Sequence, residues 1–452
     1  VVTGSITAGE LARKLVHVGV AGFAFLLREL TWPQAAACAA VAFFFNWQVL
    51  PRIGGRTMWR GDDHQRGYPK GILLYPLAVL GLILVFREEL WAVAAIWAVL
   101  GFGDGFASIV GQAWGGPRLP WNPKKGWAGF VAFVIFGSLG ATFLIGWTLH
   151  LPPALWGTRI VTGIAIPLAL LLAVVESLPT TLDDNLTVPL CGTLLLPLLA
   201  EAEAARIVGD PDFAARLSQG LGVNVLVAFA AWRARSIDVA GALSAIAIGT
   251  LITLSLSLRA FAVMMAFFVV GSAVTKLGYR IKAARGIAQE KGGARGWRNA
   301  WANGGVPALL AVAAGAAPPG LRETLTVAYA ASVATAAADT CSSETGKAYG
   351  RRTFLITTLR PVPPGTEGAV SLEGTLGGLA GGALVAAVGA LCGLYGWPAA
   401  AIAAVAGLLG SLAESVLGTV AEERGWMDND LLNATNTAIG GLLAAWAWSL
   451  LR

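Results

Sequence analysis

Apolar stretches of roughly 20 residues, the length an α-helix needs to cross a bilayer, follow one another along almost the whole chain, separated by short polar loops. That pattern admits few folds. Lipid offers a backbone no hydrogen-bonding partners, so such a chain spans as helices or as a closed barrel. A barrel would show alternating segments of about 10 residues, and the sequence does not. Charged residues are 13% of the chain, against about 25% in soluble domains. The expected fold class is therefore an all-α polytopic membrane protein. The 57 glycines suit it, since small residues let helix backbones approach closely in lipid.

The stretches place helices near 11–30, 33–50, 71–87, 89–112, 127–148, 158–176 and 187–205, then near 213–231. Further helices are expected near 237–257, 259–281, 302–316, 323–346, 370–392, 397–420 and 431–451, the 302–316 span being short enough to be re-entrant. This gives about fifteen spans: a domain over 1–209, a linker helix over 210–234 and a domain over 235–452. Loops rich in Lys and Arg alternate with poor ones. The rich set includes Arg56, Arg60, Arg66 and Lys70, then Lys124 and Lys125, then Lys282, Lys291, Arg295 and Arg298. The positive-inside rule puts these loops in the cytoplasm, with the N-terminus inside and the C-terminus outside a bacterial or archaeal cytoplasmic membrane. A charged motif from Glu10 to His17 comes at once, so no cleavable leader is expected. The four cysteines form no CxxC or Cys/His metal pattern.

One motif occurs twice. Asp104, Ser108, Gly111, Ala113, Trp114 and Gly115 recur at identical offsets as Asp339, Ser343, Gly346, Ala348, Tyr349 and Gly350. Each copy ends an apolar stretch, where a carboxylate is expensive and by default functional. A second pair of motifs follows: Glu176-Ser177 with Asp183-Asp184-Asn185, and Glu414-Ser415 with Asp428-Asn429-Asp430. Eight crossings separate the two aspartates, so two seven-helix repeats in parallel orientation are expected, joined by the linker helix.

Each half thus gathers carboxylates, glycines and Lys/Arg at one membrane face. Carboxylates without soft ligands suit Mg²⁺. Lys and Arg suit polyphosphate, and glycine-rich turns let backbone N–H groups approach anionic oxygens. Together they describe a site for a metal–nucleotide complex, where phosphoryl transfer needs mainly positioning and charge neutralisation. The membrane setting makes a lipid the acceptor. P-loop, GxSxG and HExxH motifs are absent from the sequence, and no nucleic-acid motif accompanies the basic loops.

The first half resembles the dolichol kinase and phytol kinase family, over about 10–205. The resemblance rests on Arg13-Lys14-x-x-His17, Lys70-Gly71 before Tyr75-Pro76, Gly103-Asp104-Gly105-x-Ala107-Ser108-x-x-Gly111, the Lys125 to Gly129 segment, and Glu176 followed by Asp183-Asp184-Asn185. Gly126 stands where those kinases carry Ser or Thr. The second half, over about 235–451, resembles the family of phytyl-phosphate kinase and transmembrane protein 19. Its matches are Lys276-x-Gly278, Lys282, Lys291-Gly292, Arg298-Asn299, Asn303-Gly304-Gly305, Asp339-Thr340-x-x-Ser343-Glu344-x-Gly346, Thr366-x-Gly368-x-x-Ser371, Glu414-Ser415 and Asn433-x-x-Asn436. Glu367 departs from the expected Asn.

The resemblance implies a prenol kinase fused to a prenyl-phosphate kinase, working in sequence with CTP as expected donor and Mg²⁺ as cofactor. In the first half Asp104 and Asp184 are assigned to metal and nucleotide, with Glu176 and Asp183 in support. Lys70, Lys124 and Lys125 would neutralise the triphosphate, Lys125 within the catalytic set. Arg13, Lys14, Ser108, Gly111 and Asn185 would contact nucleotide or alcohol, and His17 would act as general base. In the second half Asp339, Glu344 and Glu414 are the catalytic carboxylates. Metal ligands there would come from Asp339, Glu344, Asp428 and Asp430. Lys276, Lys282, Arg298, Asn303, Ser343, Thr366, Ser371, Asn433 and Asn436 would hold phosphates and nucleotide. Phytol, geranylgeraniol, farnesol and longer polyprenols are all open as substrates. A cytidylyltransferase making a CDP-lipid is the rival enzyme reading. A secondary transporter would also use repeats and buried carboxylates, but near the bilayer midplane rather than at helix ends.

Overall fold

The computed structural model describes residues 8–53, 59, 63–64, 67–157, 159–287, 296–422 and 425–452, with the side chains of 8–13 and 421–422 left undescribed. The Arg13 side chain and Arg56, Arg60, Arg66, Lys291 and Arg295 therefore lie outside the described residues. The chain is mostly helical and divides into two compact units, Val1–Glu201 and Ala202–Arg452. Among the described residues, seven helices are long and apolar enough to cross a membrane. They are Leu90–Trp114, Trp127–Thr148, Arg159–Ser177, Phe213–Arg233, Leu258–Lys276, Leu372–Leu391 and Trp397–Val420. Lys70–Val85 and Val239–Ser255 are shorter apolar helices. Helices stand at each of the apolar stretches. The one expected over 302–316 is longer, a helix over Trp297–Ala316. Its first turn is Trp297-Arg298-Asn299, too polar for an apolar window to include.

In the first unit the core is the buried run Ala92–Leu100 of the Leu90–Trp114 helix, covered by Trp127–Thr148 and the turn Gly22–Arg28. This helix widens to π geometry over Val99–Asp104, a local form that recurs at functional sites. Beyond it, Gly105–Trp114 runs against Trp127–Thr148. The two backbones meet at Gly129, where a Cβ would lie 3.0 Å from the Ala107 carbonyl oxygen.

In the second unit the centre is the 31-residue helix Pro319–Tyr349. Its segment Leu325–Ala338 is buried throughout and is packed by Leu372–Leu391, Trp397–Leu417, Asn429–Leu450, Trp297–Ala316 and Leu258–Lys276. Surrounded by protein, it is built from Ala, Thr and Ser rather than bulky apolar residues, which keeps its hydropathy low. Contact with Leu372–Leu391 requires glycine: a Cβ at Gly378 would lie 2.1 Å from the Ser342 hydroxyl. Phe213–Arg233, read from sequence as a linker, belongs to this unit and packs on Val239–Ser255.

Candidate active sites

Burial alone would make Asp104 costly, since an unpaired charge in an apolar interior is strongly disfavoured. The fold meets this with Lys14 from the first helix, whose Nζ lies 2.9 Å from Asp104 Oδ2. His17, one turn further on, places Nε2 3.4 Å from the same oxygen and 3.4 Å from the Leu100 carbonyl. Tyr75 holds the imidazole edge-on at 4.7 Å between ring centroids and accepts a 2.8 Å hydrogen bond from Trp97. Asp104, Glu176 and Asp184 then converge, each offering an oxygen within 4.8 Å of the others. Such hard oxygen donors fit Mg²⁺. Asp183 and Asp184 are tied to Asn185: its backbone N–H donates to Asp183 Oδ1 and Asp184 Oδ1 at 3.1 and 3.0 Å. Its carboxamide donates to Asp183 at 2.8 Å. Lys70-Gly71 starts the neighbouring helix, with a Cβ at Gly71 3.6 Å from both Asp183 and Asn185 side chains.

A cavity beside this cluster is lined by Ser108, Gly111, Lys124, Lys125, Glu176 and other residues. The lysines come from a hairpin, Arg118–Leu119 paired with Asn122–Gly126. Two side chains dock it on the end of the Arg159–Ser177 helix. Trp121 Nε1 donates to Ser177 Oγ at 2.9 Å and Asn122 Nδ2 to the Ser177 carbonyl at 3.1 Å. So held, Lys125 forms an ion pair with Glu176 and also donates to its carbonyl. Glu176 thus belongs both to the carboxylate cluster and to the pocket wall, which also carries Lys124 and Lys125.

The second unit builds a similar pocket. Asp339, Ser343, Thr366, Ser371, Glu414 and Lys347 are among its lining residues. Ser371 caps the following helix, accepting from Gly374 N–H at 3.1 Å, and Thr366 donates to the Pro363 carbonyl at 2.8 Å. In each unit, therefore, Ser and Gly four and seven positions after the aspartate line a cavity with a Glu-Ser pair: Ser108, Gly111 and Glu176-Ser177 in one, Ser343, Gly346 and Glu414-Ser415 in the other.

Other assigned residues are placed elsewhere. Glu344 does not join Asp339 in the pocket. It points from the opposite helix face into a buried ion pair with Lys282, the two side chains 3% and 1% exposed. Lys282 also donates to the Thr275 carbonyl at 2.8 Å, closing the C-terminal end of Leu258–Lys276. The reason is local: Gly278 takes a left-handed turn at φ 63, and a Cβ there would meet that of Ala348 at 2.8 Å. Both charges are thus consumed in holding helices together. Lys276 is exposed at the end of its helix. Arg298 is half-exposed and bridges Asp428 at 2.8 Å and Asp430 at 2.7 Å; Asp428 also caps Asn429–Leu450 through Leu431 N–H at 3.0 Å. Asn303 and Asn433 donate to carbonyls one turn back. Asn436 is buried with neither polar side-chain atom partnered among the described residues.

The sequence assigns no role to Trp121, Asn122, Tyr75 or Lys347. The first three act through partners distant in sequence, which motif spacing does not reveal. Lys347 was visible: it directly follows Gly346 of the duplicated motif, and Gln112, at the same offset, lines the first cavity.

Residues 222–441 match the family described as integral membrane protein DUF92. An uncharacterized membrane protein of Synechocystis sp. is 42% identical over 198 residues, 44% of this chain and 77% of its own length. Protein VTE6, chloroplastic, of Arabidopsis thaliana is 37% identical, over 46% of this chain and 64% of its own. Probable phytol kinase 2, chloroplastic, of Glycine max is 34% identical, over 42% and 65%. The chain spans just under two thirds of the latter two. No solved structure matches. The chain belongs to the DUF92 family of integral membrane proteins through residues 222–441 and is a relative of the plant phytol kinases.

Proposed function

We propose that the chain is a bifunctional membrane lipid kinase, in which the first unit phosphorylates a prenyl alcohol and the second phosphorylates the resulting prenyl monophosphate. The observation that carries this reading is the recurrence, in two units, of a cavity lined by Ser, Gly and a Glu-Ser pair next to an aspartate and a lysine. The relationship to phytol kinases supports the substrate class. CTP is the proposed donor, and fifteen spans in two parallel seven-helix repeats, with both sites cytoplasmic, are the proposed topology.

In the first unit Lys124 and Lys125 neutralise the triphosphate, and the Asp104–Glu176–Asp184 cluster would hold Mg²⁺, which would supply charge neutralisation to the transferring phosphoryl group. The alcohol oxygen forms a bond to the terminal phosphorus as the bond to the bridging oxygen breaks, releasing nucleoside diphosphate. The hydroxyl proton passes to His17 beside Asp104. In the second unit Asp339 and Glu414 occupy the carboxylate role and Lys347 the cationic one. Holding both sites in one chain keeps the monophosphate at high local concentration.

The test is the fate of each CTP phosphorus. With CTP labelled in the terminal phosphate, label enters the lipid and CDP is released. Entry of label from the α-phosphate, with release of pyrophosphate, would establish a cytidylyltransferase instead.

A further inference from the structure

A second cavity of the Ala202–Arg452 unit takes no part in the proposed nucleotide chemistry. It lies between the helices Phe213–Arg233, Val239–Ser255, Leu258–Lys276 and Trp297–Ala316. Most of its wall is apolar, including Phe261, Met264 and Met265. Methionine side chains adapt to irregular apolar shapes, and glycines such as Gly241 leave width. The polar exceptions are three asparagines, Asn224, Asn299 and Asn303.

Asn299 lies in the first turn of the Trp297–Ala316 helix, where free N–H groups and the helix dipole favour an anion, and Asn303 lies one turn further on. Asn303 is 5% exposed. Its Nδ2 donates to the Asn299 carbonyl at 3.1 Å, but its Oδ1 has no partner among the described residues. A buried polar atom left unsatisfied is costly. A hydrogen phosphate ester, which both donates and accepts, satisfies it.

The same end of the cavity adjoins the Asp339 pocket. Asn299 lines the cavity, and Arg298 beside it bridges Asp428 and Asp430. Asn429, between those aspartates, lines the Asp339 pocket. One ionic junction therefore separates the asparagine end of the apolar cavity from the candidate nucleotide pocket.

We propose that this cavity holds the isoprenoid tail of the second unit's acceptor, with the acceptor phosphate at the Arg298–Asn299–Asn303 end. The proposal rests on the second unit being a prenyl-phosphate kinase. It makes Phe213–Arg233 one wall of a lipid site rather than a connector. Arg298 then changes partner, from Asp428 and Asp430 to the arriving phosphate.

The test is photolabelling of the full chain in phosphatidylcholine nanodiscs with a diazirine-tagged geranylgeranyl phosphate, followed by peptide mapping. Adducts should fall within 224–231, 241–249 and 261–268. Excess geranylgeranyl phosphate should remove them severalfold, and phosphatidic acid should not. Ala245→Trp, which fills the cavity, should reduce labelling, and Met264→Ala, which widens it, should shift protection towards longer prenyl phosphates. Both variants are checked by gel filtration before labelling. Adducts confined to other segments, or equal protection by phosphatidic acid, overturn the proposal. Labelling needs no turnover. A chain that labels as expected but makes no diphosphate defeats the kinase reading alone, and one that makes diphosphate but labels elsewhere defeats the tail site alone.

Discussion

The buried pair Lys282–Glu344 separates a structural from a chemical reading of the duplicated motif. With side chains 1% and 3% exposed, neither charge has access to water once its partner is lost. Removing one member of such a pair costs about 3–5 kcal/mol, whereas replacing both with neutral groups of similar size is often neutral or stabilising. Glu344→Gln leaves the ammonium with carbonyls alone, the Thr275 oxygen at 2.8 Å among them. Lys282→Met strands a carboxylate. Each single variant should therefore lose about 3–5 kcal/mol, and the double variant should recover most of that loss. Unfolding in mixed micelles, followed by helical circular dichroism, reads all four corners of the cycle. Single variants within about 1 kcal/mol of wild type, or a double variant no better than the worse single, would refute the reasoning. Because Glu344 faces away from the Asp339 pocket, the double variant should also retain phosphorylation of prenyl monophosphate. Its loss in a folded protein would give Glu344 a chemical role.

Three further outcomes follow from the geometry. Lys14→Met leaves Asp104 buried without its lysine, with His17 Nε2 3.4 Å away, and should cost about 3–5 kcal/mol of stability, relieved by adding Asp104→Asn, as read by the same unfolding assay. Gly129→Ala forces a Cβ to 3.0 Å from the Ala107 carbonyl and should cost about 1–3 kcal/mol, with prenol phosphorylation falling in parallel as the cavity wall shifts. Lys347→Ala should lower kcat/KM for diphosphate synthesis roughly 10- to 100-fold, the worth of a charge-assisted hydrogen bond of about 1.5–3 kcal/mol, while monophosphate synthesis from the alcohol is unchanged in steady-state assays.

The positions of the helices could be read from the chain because the bilayer imposes them: each apolar run between basic loops had to be a helix. The central helix Pro319–Tyr349 was readable for a different reason, a long Ala-rich run ending in the Asp339 motif. Which carboxylates meet was less accessible. Asp104, Glu176 and Asp184 were grouped from their residue types and family order, and the structure brings their oxygens together. The same reasoning grouped Glu344 with Asp339, yet five positions along a helix turn a side chain to a different face. The partner that captures it, Lys282, is 62 positions away, a pairing that depends on the left-handed turn at Gly278. The docking of Trp121 and Asn122 on Ser177 crosses more than 50 positions and carries no local signature. Widening of the Leu90–Trp114 helix just before Asp104 falls on a segment with two glycines, Gly101 and Gly103, which weaken a helix without specifying its geometry.

The most direct measurement is the product made by single-site variants in lipid with Mg²⁺, labelled CTP and a panel of prenols. Wild type should convert a prenol to its diphosphate. Asp339→Asn should stop at the monophosphate, and Asp104→Asn should make diphosphate only from supplied monophosphate. If either variant alone abolishes both steps while the protein remains folded, or if wild type yields only monophosphate, the two units do not carry separate kinase activities.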